Sequence, residues 1–146
     1  MTKRPVVVAG LGAALALSAA GGASAHHSFG AEFDQNNPVV LDGVVTRFEW
    51  SNPHSRIHLD VVNPRSRQHE QWRIEGGAPG ALLRRGWTRE SLPAGTRVHV
   101  LAFRAWDDDT RASAAEISFP NGTRMSLGYP SAEQAQAALA RRRRPD

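Results

Sequence analysis

The sequence contains no cysteine. Disulfides, thiolate metal sites, a thioether-linked haem and a lipid anchor on a cysteine are thereby excluded. Its longest apolar run, Val6 to Leu17, is too short to cross a bilayer as a helix, which takes ~20 residues. There is no phosphate-cradling loop, because Gly76-Gly77 is followed by Ala78-Pro79 and not by a Lys-Ser/Thr signature. His-Glu-x-x-His and repeated His-x-His patterns are missing, and no two histidines share a predicted helix. Charge of one sign is not in large excess either: 18 Lys and Arg stand against 14 Asp and Glu, for a net charge of +4.

What is present begins with an address. A short basic start, Lys3-Arg4, leads into the apolar run and then into small residues ending Ala23-Ser24-Ala25. This is the layout of a secretory signal peptide with an A-x-A cleavage site. The expectation is a cleaved segment 1–25, a periplasmic or secreted mature chain starting at His26, and no transmembrane segment after cleavage. The remaining 121 residues suit one domain, large enough for a modest core without covalent help. Loss of Lys3 and Arg4 lowers the net charge, and Arg141-Arg142-Arg143-Arg144 supply four of the remaining positive charges. The body of the domain is therefore slightly acidic, and no nucleic-acid partner is expected, since such domains carry a basic face on the fold itself.

From Val39 onward the pattern is β. Val39 to Trp50 forms a long strand whose apolar parity changes partway, which predicts a bulge near Gly43. Ile57, Leu59 and Val61 alternate with Arg56, His58 and Asp60 in a half-buried second strand. Gln71 to Glu75 gives a third, with Trp72 and Ile74 on one face. The period then changes: Pro79 opens a short helix that Gly86 ends. Thr96 to Arg104 and Ala112 to Phe119 are strands four and five, and Arg124 to Leu127 is a short last arm. Three strands, a helix and two strands is the order of the OB-fold. The expected fold is mainly β: a small OB-like five-stranded barrel over 26–128, with one short helix between strands 3 and 4. Trp87, just after Gly86, is expected to plug its base. Residues 129–146 are expected to form a basic, flexible C-terminal tail. Within it Ser131 and Gln134 make a capping-box pattern before Ala135, Ala138 and Leu139, and Arg141–Arg144 offer a weak contact to an anionic surface.

Several segments together resemble a known family. They are His26-His27-Ser28-Phe29-x-Ala31-Glu32-Phe33-Asp34, Glu49-Trp50-x-Asn52-Pro53-His54, and Leu82-Leu83-Arg84-Arg85-Gly86-Trp87-Thr88. The chain resembles, from His26 to about Gly128, a family of small exported bacterial proteins described as a domain of unknown function. Gly30 and Gly80 stand where the family pattern has Ala and Asn. The resemblance implies an exported bacterial domain and carries over no activity.

Two functional readings follow from the residues. In the first, the domain binds copper or zinc. Cleavage before His26 would give that residue an α-amine and an imidazole together, and imidazole favours these metals. The α-amine, with a pKa of about 7.7–8.0, can lose its proton to a metal near neutrality. His54, after Asn52-Pro53, is the best second ligand, with His27 and His58 as further ones. His54 and His58 lie ~13 Å apart in an extended strand at about 3.3 Å per residue, so they share an ion only if the chain bends. In the second reading, a metal-independent OB-like module binds a periplasmic protein or an oligosaccharide through exposed aromatics, Trp50 and Trp106. His58, His69 and His99 read as ordinary strand or turn residues. Glu75 is placed to orient a histidine or to pair with Arg84 or Arg85. No catalytic residues are assigned, because Ser28 beside His27 lacks a third group to orient a base.

Overall fold

The computed structural model describes residues 25–128 and 130–143, without the side chains of 25–28. The expected signal segment up to Ser24 and the end of the arginine run at Arg144 lie outside the described residues. The order is α1 (Ala25–Glu32), β1 (Phe33–Glu49), β2 (Arg56–Val62), β3 (His69–Glu75), α2 (Pro79–Leu83), β4 (Arg97–Ala105), β5 (Arg111–Ser118), β6 (Arg124–Ser126) and α3 (Ala132–Arg142). The chain is mainly β, as expected. The sheet has six strands where a five-stranded barrel was expected, and two helices flank it besides the one between strands 3 and 4.

Strand β1 pairs antiparallel with β2 on one side and β4 on the other. β2 pairs antiparallel with β3, β4 with β5, and β5 with β6. β3 and β5 add a short parallel pairing from Arg73↔Arg111 to Glu75↔Ser113. The pairing therefore returns to its start through β1, β2, β3, β5 and β4. The register shift of the β1–β2 ladder falls between Val45 and Arg47, not near Gly43. That bulge turns the strand so that Leu41 and Val45 before it, and Phe48 after it, all meet the same core. Gly43 has a different reason to be glycine. A Cβ there would stand 3.0 Å from the Asp60 carbonyl oxygen and 3.0 Å from a Val61 methyl.

The main core is enclosed by the strands. Val45, Ile57, Leu59, Ile74, Val100, Ala102, Ala112, Ala114 and Ile117 are all within a per cent of full burial. Helix α2 and the turn after it seal one end. Leu82 and Trp87 are fully buried, and the Trp87 indole N–H donates to the Ser126 carbonyl at 2.8 Å. Gly77 permits the fit, since a Cβ there would stand 2.9 Å from the Leu127 carbonyl oxygen.

A second cluster lies on the outside of β4. Leu101, Phe103 and Ala105 pack with Phe29 and Phe33 from the α1 side and with Ala135 and Ala138 of α3. Phe29 and Phe33 stack at 5.1 Å. The C-terminal segment, expected to be flexible, is thus largely a docked helix. The capping box is formed, with Gln134 N–H donating to Ser131 Oγ at 3.2 Å and Ser131 N–H to Gln134 Oε1 at 3.0 Å. Arg142 donates to Asn37 Oδ1 at 2.6 Å. A capped helix with buried alanines gains from packing what its short length lacks in intrinsic stability.

Candidate functional site

The polar faces of β2 and β3 place Arg56, His58, Arg73 and Glu75 side by side, because Arg56 pairs with Glu75 and His58 with Arg73 in register. Arg47 and Glu49 arrive from the end of β1, and Arg111 from the start of β5. With Asp107 these residues line an open depression of about 610 Å3. The loops on either side are 50–55, which carries His54, and 106–110, which carries Trp106.

Two carboxylates organise the depression. Glu49 faces His58 Nε2 at 2.9 Å, is ion-paired by Arg47, and has Arg56 Nη1 at 3.8 Å. Burial pushes the Glu49 carboxyl up, but the His58 hydrogen bond and the cationic neighbours outweigh it and hold the group below the usual range. Glu75, with a side chain only 15% exposed, faces His54 Nδ1 at 3.3 Å and Arg111 Nη1 at 3.1 Å. The expectation for Glu75 is met at the histidine, while its arginine comes from β5 and not from 84–85.

Arg111 is the hub. It donates to Glu75, to Asp107 Oδ1 at 2.8 Å and to Glu32 Oε2 at 3.3 Å, and its guanidinium lies 5.1 Å from the Phe33 ring centre. Asp107 is held below its ordinary value chiefly by the Arg111 hydrogen bond. Arg111 is raised above its own by the same bond, against burial. Through Glu32 this hub ties the end of α1 to the face that carries His54. Arg73 donates to Asp108 Oδ2 at 3.0 Å, and Asp108 also accepts from the backbone and hydroxyl of Thr110. The 106–110 loop is thereby pinned beside the depression.

The expected site residues separate on this geometry. His54 and His58 both reach the charged face but hold different carboxylates. His26 lies in α1, as does His27, and their side chains are outside the described residues. Among the described residues no group of three or more His, Asp or Glu side chains stands where it could hold one metal ion. Trp106 is 61% exposed, with its indole N–H donating to the Gly30 carbonyl at 3.0 Å. Trp50 is half-buried instead, packed edge-on against Phe48 at 5.5 Å and against the main core. His69 and His99 each face a carboxylate at 2.8 Å, Asp60 and Asp42 respectively. Sequence reasoning passed over Arg47, Arg56, Arg73 and Arg111. Their signal was the polar parity of β2 and β3, which marks a solvent face but not which charges meet on it.

Residues 14–114 match the family of unknown function DUF6152, and the chain belongs to that family. No curated protein and no solved structure matches it. Among the described residues, no helix is long and apolar enough to cross a membrane.

Proposed function

We propose that the protein is an exported, non-catalytic binding domain built on an OB-like barrel, and that the charged β2–β3 face is its ligand surface. The cyclic strand pairing and the α2 position between β3 and β4 support the barrel reading. OB-folds bind oligosaccharides and oligonucleotides on the face of strands 2 and 3 and on the loops after strands 1 and 4. Here the depression occupies that face, with His54 and Trp106 on those two loops. The observation that carries the reading is the depression itself. The exposed guanidinium donors of Arg47, Arg56 and Arg73 are held in place by Glu49 and Asp108, beside the most exposed large aromatic among the described residues.

Such an array suits an acidic oligosaccharide: the indole takes a sugar face, and arginines take carboxylates in bidentate fashion. A titration with oligogalacturonate, followed by amide and indole NMR, tests it. Shifts confined to Trp106, Arg73, Arg56 and the 50–55 loop, weakened in Trp106→Ala, are expected. Saturable binding elsewhere on the molecule, or none, would refute the saccharide reading. A partner protein on the same face remains the form of this proposal that a failed saccharide titration favours.

The metal reading is retained on one specific observation. His54 turns Nδ1 toward Glu75, which leaves Nε2 on a side chain 56% exposed. Carboxylates commonly orient metal-bound histidines in this way. Export-processed protein beginning at His26 would be titrated with Cu(II) and Zn(II) by calorimetry, against a control extended by one residue. One-to-one binding lost in the control and in His54→Ala is the expected result. Equal behaviour of all three eliminates the metal.

A further inference from the structure

The end of the strand-enclosed core away from α2 is closed differently. There β1, the end of β2 and the start of β3 surround an opening of about 330 Å3. Its walls are aliphatic: Val39, Leu41 and Val61 inside, and Val40 and Val62 at the rim. The rim valines are 39% and 44% exposed, two of only four large hydrophobic side chains that exposed among the described residues. The floor is Trp72, with the Arg104 guanidinium 5.2 Å from its ring centre.

The polar groups of this opening have unequal hydrogen-bonding capacity left. Glu70 accepts from Asn63 Nδ2 at 2.6 Å and from the Trp72 indole N–H at 3.1 Å. Asn63 Oδ1 accepts from the backbone N–H groups of Arg65 and Ser66. Asp42 faces His99. Arg104 donates through Nη1 to Asp109 at 3.0 Å, but its Nε–H is buried and has no acceptor among the described residues. A buried donor left unmet is costly, and protein interiors rarely leave one so. The unmet group is a donor, so the complementary ligand atom is an acceptor. The opening already carries two carboxylates, Asp42 and Glu70, against one guanidinium, which disfavours an anionic ligand.

We infer that this opening is a binding site for a small neutral molecule with an aliphatic body and one carbonyl oxygen, an amide, ketone or ester, whose oxygen accepts from Arg104. Apolar pockets with few placed polar groups at barrel mouths are a common form of small-molecule site. In the structure this Nε–H is buried, so the site requires a turn of the Arg104 side chain that carries it to the opening. The site is separate from the charged β2–β3 face and does not depend on what binds there.

The test is a titration of the full chain with octanamide, with octanoate and octylamine as charge controls, read by NMR. Octanamide is expected to shift the Trp72 indole, the Val39 to Asp42 amides and the Arg104 Nε–H resonance, and to bind more tightly than either control. Arg104→Met should weaken it about tenfold, the loss of one hydrogen bond to a charged donor. Val62→Glu, at an exposed rim position, should weaken it without touching the core. If octanamide leaves these resonances unmoved, or Arg104→Met binds it equally, or octanoate binds best, the inference is wrong and ordinary water serves Arg104.

Discussion

The two ends of the enclosed core are finished in opposite ways. At the α2 end, Leu82, Trp87, Leu92 and Leu127 are all within two per cent of full burial, and the one indole donor has its acceptor. At the other end a charged side chain, Arg104, lies over Trp72, its Nε–H unmet, with apolar residues open to solvent at the rim. Both ends are lined by a tryptophan and aliphatic side chains, so composition does not separate them. The difference lies in what covers each tryptophan: a helix and its turn in one case, a guanidinium in the other. The sealed end holds the domain together, and the open end keeps hydrogen-bonding capacity that folding itself does not use.

Substitutions can break this contrast, beginning with the largest effect. Trp87→Ala should cost ~3–5 kcal/mol, because it leaves a dry cavity and orphans the Ser126 carbonyl. A urea melt should show a partly or wholly unfolded protein at room temperature. Trp72→Ala should cost less, about 2–3 kcal/mol, because its cavity opens to water and is not left dry. Equal losses from the two would mean that the ends are energetically alike. Arg104→Met should change stability by less than about 1 kcal/mol. It removes an unmet donor along with a charge and keeps an apolar stem over the indole. A loss as large as that of Trp87→Ala would show that the charge itself holds this end shut.

The smallest effect is in pH. Hydrogen bonds from Asn63 and then Trp72 hold the Glu70 carboxyl below its ordinary value of 4.5. A depressed folded value means the contribution is complete above the unfolded value and fades as pH falls toward the folded one. The urea midpoint of the native protein should therefore exceed that of Glu70→Gln near neutrality, and the gap should close below about pH 4.5. The Trp87 end holds no titrating group in this role, so Trp87→Phe should show no matching change.

Much of the strand order could be read from the chain, because period-two alternation in β2 and a change of period at Pro79 are local signals. The bulge was misplaced for a physical reason. Gly43 looks like a bulge residue, but it is glycine because Asp60 and Val61 of the paired strand β2 approach it closely, a contact that only the β1–β2 register creates. The docking of α3 was missed because its alanines, which with Leu139 suggest only a weak helix, are too small to draw a strong apolar stripe. The overlooked sign lay in β4, where Leu101, Ala102 and Phe103 run without alternation and so demand cover on both faces. The site was legible only in part. His54 and Trp106 stand out as residue types in turns, whereas the arginines look like solvated strand decoration until the ladder brings them together.

The sequence by itself determined the mainly β class, the place of the short helix, the capping box and the family, since each rests on residues close together in the chain or on a contiguous match. Only the tertiary structure decided which charges meet on the β2–β3 face, which buried tryptophan lies at the helix-sealed end and which lies beneath a guanidinium, and that α1 and α3 cover β4. Those outcomes depend on pairing between β1, β3, β4 and β5, whose partners are tens of residues apart, and no local pattern encodes the register that joins them.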